Sequence, residues 1–229
     1  MPGAFRLTSQ MPADPHPSLD PYREAVEREG PTFDALLWRS PEYQRRRFEV
    51  IAQSLDLTGR VVADIGCGRA DLLAFLHSLG VEYGGYVGVD GLIEMVEHSR
   101  TRAGRDHLEE ARFIHADFAT DEQLFERLVS AERADVFAFS GSLNTFDEMD
   151  ARAVLDRAWS ALTADRRPGR ALIFNFLSDA GGTAGEDLGP SRRFHTASFA
   201  AWALDRTPRI ILRTDYLPSH DATIAMLTT

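Results

Sequence analysis

The chain has 229 residues, of which 44% are apolar and 26% charged, enough for one full α/β domain around a large core. Its net charge of −10 argues against attraction to phosphate backbones. All 25 basic residues are arginines, which excludes Schiff-base chemistry and a phosphate loop built on lysine, and the single cysteine excludes an internal disulfide or a multi-cysteine zinc site.

Residues 1–20, rich in proline and polar side chains, read as a loose leader. The amino terminus lacks a basic-then-apolar signal pattern, and no apolar run is long enough to span a bilayer. The expectation is a soluble, cytoplasmic protein with no membrane partner and no metal. Residues 21–57 read as a helical cap. PYREAVEREG ends at a glycine, and SPEYQRRRFEVIAQSLDL opens with Ser40 as cap and Pro41 in the first helical position. On that second helix Tyr43 and Arg47 share a face and are candidates to close over a ligand or an acidic substrate group.

From residue 58 onward short apolar runs alternate with helical periodicity. VVADIG, YVGVD, ARFIHAD, ADVFAFSG and ALIFNFL read as strands, and DLLAFLHSLG, LIEMVEHSRTR, EQLFERLVSAE and ARAVLDRAWSALT as the helices between them. Such alternation predicts a mainly parallel, doubly wound sheet covered on both faces. At the end, PRIILRTDY and ATIAMLTT are joined only by LPSHD. That link is too short for a parallel crossover, so an antiparallel hairpin is expected. The whole reads as a Rossmann-like, seven-stranded sheet over residues 58–229.

Ligands of open α/β sheets bind outside the carboxyl ends of the strands. The stretch VVADIGCGRADLL, residues 61–73, puts Asp64, Gly66, Cys67 and Gly68 at that rim, where glycines allow close backbone approach. Counting on from Gly66 and Gly68, the third position of a dinucleotide fingerprint is Asp71 rather than a small residue. An acid beside a pyrophosphate is electrostatically costly, so Asp64 and Asp71 suit a positively charged ligand better. Asp90 ends YVGVD at the distance where an acid accepts from ribose hydroxyls. HADF brings Asp117 and Phe118 to the same rim, a combination that fits an adenine edge.

VVADIGCGRADLL, the acid of YVGVD, the HADF segment, ADVFAFSGSLN and the terminal hairpin resemble class I S-adenosylmethionine-dependent methyltransferases, over roughly residues 45–229. The resemblance implies S-adenosylmethionine as cofactor, with S-adenosylhomocysteine as product. Gly66, Cys67 and Gly68 would pass by its methionine part, and Asp64 would accept from the amino group. Asp90 and Gly91 would meet the ribose, Leu92 and Phe118 the adenine faces, and Asp117 the adenine amine. Ser140 and Gly141 would lie beneath the cofactor.

A general base helps when the methyl acceptor is a hydroxyl or a protonated amine. Candidates near the expected site are Asn144, His195, and the His220–Asp221 pair of the hairpin turn. Arg193 and Tyr216 join Tyr43 and Arg47 as candidate substrate contacts. No N/D-P-P-Y/F signature follows the fourth strand, which disfavours methylation of a base or glutamine amide by that route. The expected function is methylation of a small molecule at oxygen or nitrogen. An RNA methyltransferase, an NAD(P)-dependent oxidoreductase and a non-catalytic cofactor-binding module stay open, as does the oligomeric state, a homodimer included.

Overall fold

The computed structural model describes residues 14–108, 110–181, 188–217 and 220–229. Residues 1–13 of the expected leader, 182–187 of the glycine-rich loop after the fifth strand, and 218–219 of the hairpin turn lie outside the described residues. The fold is α/β. In chain order come α1 (Asp20–Glu29), α2 (Pro41–Ser54), β1 (Val61–Ile65), α3 (Asp71–Ser78), β2 (Gly85–Asp90), α4 (Ile93–Arg105) and β3 (Ala111–His115). There follow α5 (Leu124–Ser130), β4 (Val136–Ser140), α6 (Glu148–Thr163), β5 (Ala171–Ser178), β6 (Arg193–Phe194), α7 (Thr196–Leu204), β7 (Ile210–Arg213) and β8 (Asp221–Leu227).

The sheet runs β3-β2-β1-β4-β5-β8-β7. Strands β1 to β5 pair in parallel, while β8 lies antiparallel between β5 and β7. The order reverses between β1 and β4, the switch point where a crevice must open because adjacent crossovers leave in opposite directions. Residues of β1 alternate between two cores, as a pleated strand requires. Ala63 and Ile65 join a phenylalanine-rich layer under α5, α6 and α7, and Val62 joins an aliphatic layer under α2, α3 and α4.

The cap helices form for the reasons that their sequences give. Ser40 accepts from the Tyr43 backbone N–H at the start of α2, with Pro41 in the first turn. Gly30 ends α1 with φ +66°, a conformation that favours glycine. Three features depart from the sequence reading. Residues 16–20 are not loose: Leu19 and Ser18 are buried, and Pro17–Leu19 form a 3-10 turn leading into α1. A two-residue strand, β6, pairs with β5 beside the seven-stranded path. Asp221 is not a turn residue but the first residue of β8, where it faces Leu177 of β5 and is 1% exposed.

Candidate active site

The glycine turn leaves β1 with left-handed backbone at Gly66 (φ +78°), Gly68 (φ +51°) and Ala70 (φ +57°). The Gly66 and Cys67 N–H groups both donate to the Val89 carbonyl, at 2.8 and 2.9 Å, which clamps the turn to the end of β2. Asp90, the last residue of β2, accepts from the Gly68 N–H at 2.8 Å and the Leu92 N–H at 2.9 Å. An ionised carboxylate offers about four acceptor positions, so half of its capacity stays available to a ligand. Burial pushes the Asp90 carboxyl up to about 6, against the backbone N–H groups of Leu92, Gly68 and Gly91 that hold it down. Burial likewise raises Asp64 to about 7, opposed by the Tyr86 hydroxyl that donates to it at 2.5 Å. Asp64 stands behind the turn, on a space of about 30 Å³ shared with Gly66, Cys67 and Gly68, large enough for one water molecule. Asp71, at the start of α3, is paired with Arg102 and accepts from Gln44.

Asp90, Gly91, Leu92, Met95, Phe118, Ser140 and Gly141 line the crevice in front of the turn. Its outer wall comes from residues 18–38. A methyl group built on Gly91 would meet Leu19 at 2.6 Å, one on Gly68 would meet Leu36 at 2.6 Å, and one on Gly141 would meet Trp38 at 2.7 Å. The cap thus lies directly on the glycines, and the crevice is narrow, about 70 Å³. Tyr22 of α1 reaches the Gly141 carbonyl at 3.5 Å, and burial pushes its hydroxyl up to about 12. Behind the crevice, fully buried Asn175 of β5 accepts from the Gly141 N–H at 2.9 Å and donates to the Ser140 hydroxyl at 3.3 Å. It fixes the turn after β4.

A second cavity of about 470 Å³ adjoins the crevice and shares Tyr22, Leu36, Trp38 and Gly141 with it. Tyr43, Arg47, Asn144 and His220 line it. Arg47, 2% exposed, donates from Nε and Nη2 to the two oxygens of Asp221 at 2.5 and 2.9 Å. Its guanidinium lies over the Trp38 ring, 4.6 Å from the centroid. A buried pair of this kind tolerates no loss of one member, at about 3–5 kcal/mol. Arg47 and His220 hold the Asp221 carboxyl below the usual carboxylate range despite its burial. Asp221 Oδ1 also lies 2.6 Å from His220 Nδ1. The carboxylate only accepts, so Nδ1 carries a proton, and it is Nε2 that holds the lone pair in the neutral ring. The His220 ring meets Tyr43 edge-on at 5.3 Å.

The structure therefore gathers most of the residues singled out in the sequence around two adjoining cavities. Four others take different places. Asp117 does not line the crevice; its oxygens accept from the His16 N–H at 2.7 Å and the Ala119 N–H at 2.9 Å. His195 caps α7 by accepting from the Ser198 N–H, is 62% exposed and lines neither cavity. Arg193 donates to the carbonyls of Ser178 and His220, so it braces the His220 turn from outside the cavity. The Tyr216 hydroxyl is shared with Thr223 at 2.7 Å, next to the Arg47–Asp221 pair rather than in the cavity. Cys67 is buried, and burial raises its thiol well above the usual range. Leu19, Leu36, Trp38 and Asn175 were not identified from sequence. Only Asn175 carried a signal, as the one amide in an otherwise apolar strand.

Among the described residues no cluster of side chains could hold a metal ion, and no helix is long and apolar enough to cross a membrane. Residues 62–165, from β1 to just past α6, match a family model described as a methyltransferase domain. Over 83 residues the chain is 35% identical to the 23S rRNA (uracil(1939)-C(5))-methyltransferase RlmD of Shewanella denitrificans, covering 35% of this chain and 18% of that curated relative. An O-methyltransferase family protein from Burkholderia thailandensis shares the fold with a TM-score of 0.64 at 17% identity, over 90% of this chain and 62% of that one. The O-methyltransferase NcsB1 from neocarzinostatin biosynthesis, in complex with S-adenosylmethionine and 2-hydroxy-5-methyl naphthoic acid, has a TM-score of 0.60 at 20% identity, over 90% of this chain and 61% of that one. Fold and site thus define a class I, Rossmann-like domain. Residues 62–165 carry the likeness to a methyltransferase domain, and the chain shares its fold with these solved O-methyltransferases.

Proposed function

We propose that the protein transfers a methyl group from S-adenosylmethionine to an oxygen or nitrogen of a small molecule, with residues 58–229 as the cofactor-binding unit and 21–57 as its cap. One observation carries the reading: a glycine crevice edged by Asp90 adjoins, at Gly141, a separate cavity lined by His220 of a His–Asp pair. The crevice residues suit the cofactor. The missing Cβ atoms at Gly68, Gly91 and Gly141 leave room that Leu36, Leu19 and Trp38 of the cap fill, and that a ligand would take as the cap moves off. Asp90 keeps acceptor capacity for ribose hydroxyls, Leu92 and Phe118 offer apolar faces, and Asp64 reaches the rim through the water-sized space behind the turn. When bound, S-adenosylmethionine supplies a methyl group already activated by its sulfonium charge, so the protein mainly aligns the acceptor and excludes water.

His220 Nε2 takes the proton from the acceptor hydroxyl or ammonium, and Asp221 holds the ring in the required tautomer. The second cavity falls within the roughly 300–1,000 Å³ of small-molecule sites, which supports a small acceptor over a sensor with a blocked pocket. The hydroxy-acid partner of NcsB1 supports the same size class. The match to an rRNA enzyme covers a small part of that protein, and the charge of −10 weighs against an RNA acceptor. Calorimetry with S-adenosylhomocysteine tests the cofactor half. Asp90→Ala is expected to weaken binding by about tenfold or more, the scale of a lost hydrogen bond to a charged group. Equal affinity in the variant, or displacement by NAD(P) instead, refutes it. His220→Gln should keep that affinity while turnover falls by about 10²–10⁴.

A further inference from the structure

The two cavities carry opposite charge. The cofactor crevice is edged by Asp90, with Asp64 behind it. The described residues that line the second cavity include Arg39, Arg47 and His220 and no acid, in a chain with ten more negative than positive charges. Arg47 is the buried member of this set. Asp221 takes its Nε and Nη2 donors, and the Trp38 ring covers one face of the guanidinium. Nη1 is buried and has no acceptor. It lies 3.3 Å from the place a Cβ of Gly141 would occupy, beside a residue that lines both cavities. Arginine cannot relieve such a defect by losing its proton, and a buried N–H without a partner is rare enough to demand a reason. Asn144 Oδ1, on the same cavity, is a second buried polar atom without a partner. Around both, Trp38, Leu37 and Leu177 supply apolar wall.

We infer that the cavity binds an acceptor with a flat apolar body and a carboxylate, the carboxylate accepting from Arg47 Nη1 and a hydroxyl of the acceptor donating to Asn144. The inference rests on the methyltransferase reading and names the substrate class of its site. A single unpaired edge of one guanidinium matches one monovalent anion, and the apolar wall matches a ring better than a phosphate ester. The arrangement also places an anion beside the position of a cationic donor, so the charges of the two ligands attract across Gly141.

Salicylate and its neutral isostere salicylamide test this by calorimetry, with and without saturating S-adenosylhomocysteine. Wild type should bind salicylate about tenfold more tightly than salicylamide, as a charge-assisted bond predicts. Arg47→Gln combined with Asp221→Asn removes both charges without stranding either, and should bring the two probes within about threefold of each other. Retained S-adenosylhomocysteine binding reports that this variant folds; if it does not fold, the wild-type comparison decides alone. Equal binding of the two probes to wild type, binding of neither, or a preference that survives in the double variant overturns the proposal. Failure of S-adenosylhomocysteine to bind wild type while the salicylate preference holds would instead sink the methyltransferase reading and leave the anion site standing.

Discussion

Asp64 and Asp90 end neighbouring parallel strands, and burial raises both, to about 7 and about 6. A carboxyl raised in the folded state binds its proton more tightly there than in the unfolded chain. Its contribution to stability is therefore fully present below the ordinary carboxylate value and is lost as pH rises through 6 to 7. Asp64→Asn removes the buried charge but keeps an acceptor for Tyr86. The variant should gain on wild type as pH rises, its advantage at pH 8 exceeding that at pH 5 by about 1–3 kcal/mol, as thermal melts at the two values would read. The ligand's ammonium group favours ionised Asp64 and its ribose hydroxyls favour ionised Asp90, so wild-type affinity for S-adenosylhomocysteine should climb from pH 5 to 8, and a flat profile would refute the assignment. These two acids were legible in the sequence because each ends an apolar strand. The place of Asp117 was not, because its partner is the backbone of His16, 101 positions away, and no local pattern records such a pairing. Arg47 and His220 were legible as candidates, but the shared carboxylate that joins them through Asp221 depends on where β8 docks.

The turn after β4 shows how much one element depends on another. Gly141 has φ +76°, lies against Trp38 of the cap, and is held from behind by Asn175 of β5. Gly141→Ala adds left-handed strain of about 1–2 kcal/mol and drives Trp38 away, so both melting temperature and S-adenosylhomocysteine affinity should fall. Gly30→Ala is the control. Its φ is +66° and a methyl group there would meet nothing within 4 Å, so it should lower stability alone. If the two variants bind alike, Trp38 has no part in the crevice. Among the elements, the parallel strands and the terminal hairpin were readable from apolar runs and the short final link. Helix α7 was not, because TASFAAWAL is apolar on nearly every side and shows no amphipathic stripe. The two-residue β6 is too short to leave any pattern.

Across the molecule, the cap closes the site that the sheet opens. A crevice of about 70 Å³ is well below the space a nucleoside needs, so residues 16–38 must lift for it to enter and settle back around it. Hydrogen exchange should show amides of residues 16–38 gaining protection when S-adenosylhomocysteine binds. Protection confined to the glycine turn and β2 would mean that the cap plays no part. The chain alone marked residues 21–57 as a cap but not the part of residues 16–20, since local composition made these look free, and their order comes from packing on Thr145, Phe146 and Asp117.

Tyr22, Leu36 and Trp38 each touch both cavities, so one moving wall serves two rooms. Donor and acceptor then cannot come and go as strangers. Whichever arrives first helps to set the wall against which the second must fit, and by reciprocity each tightens the other by the same factor.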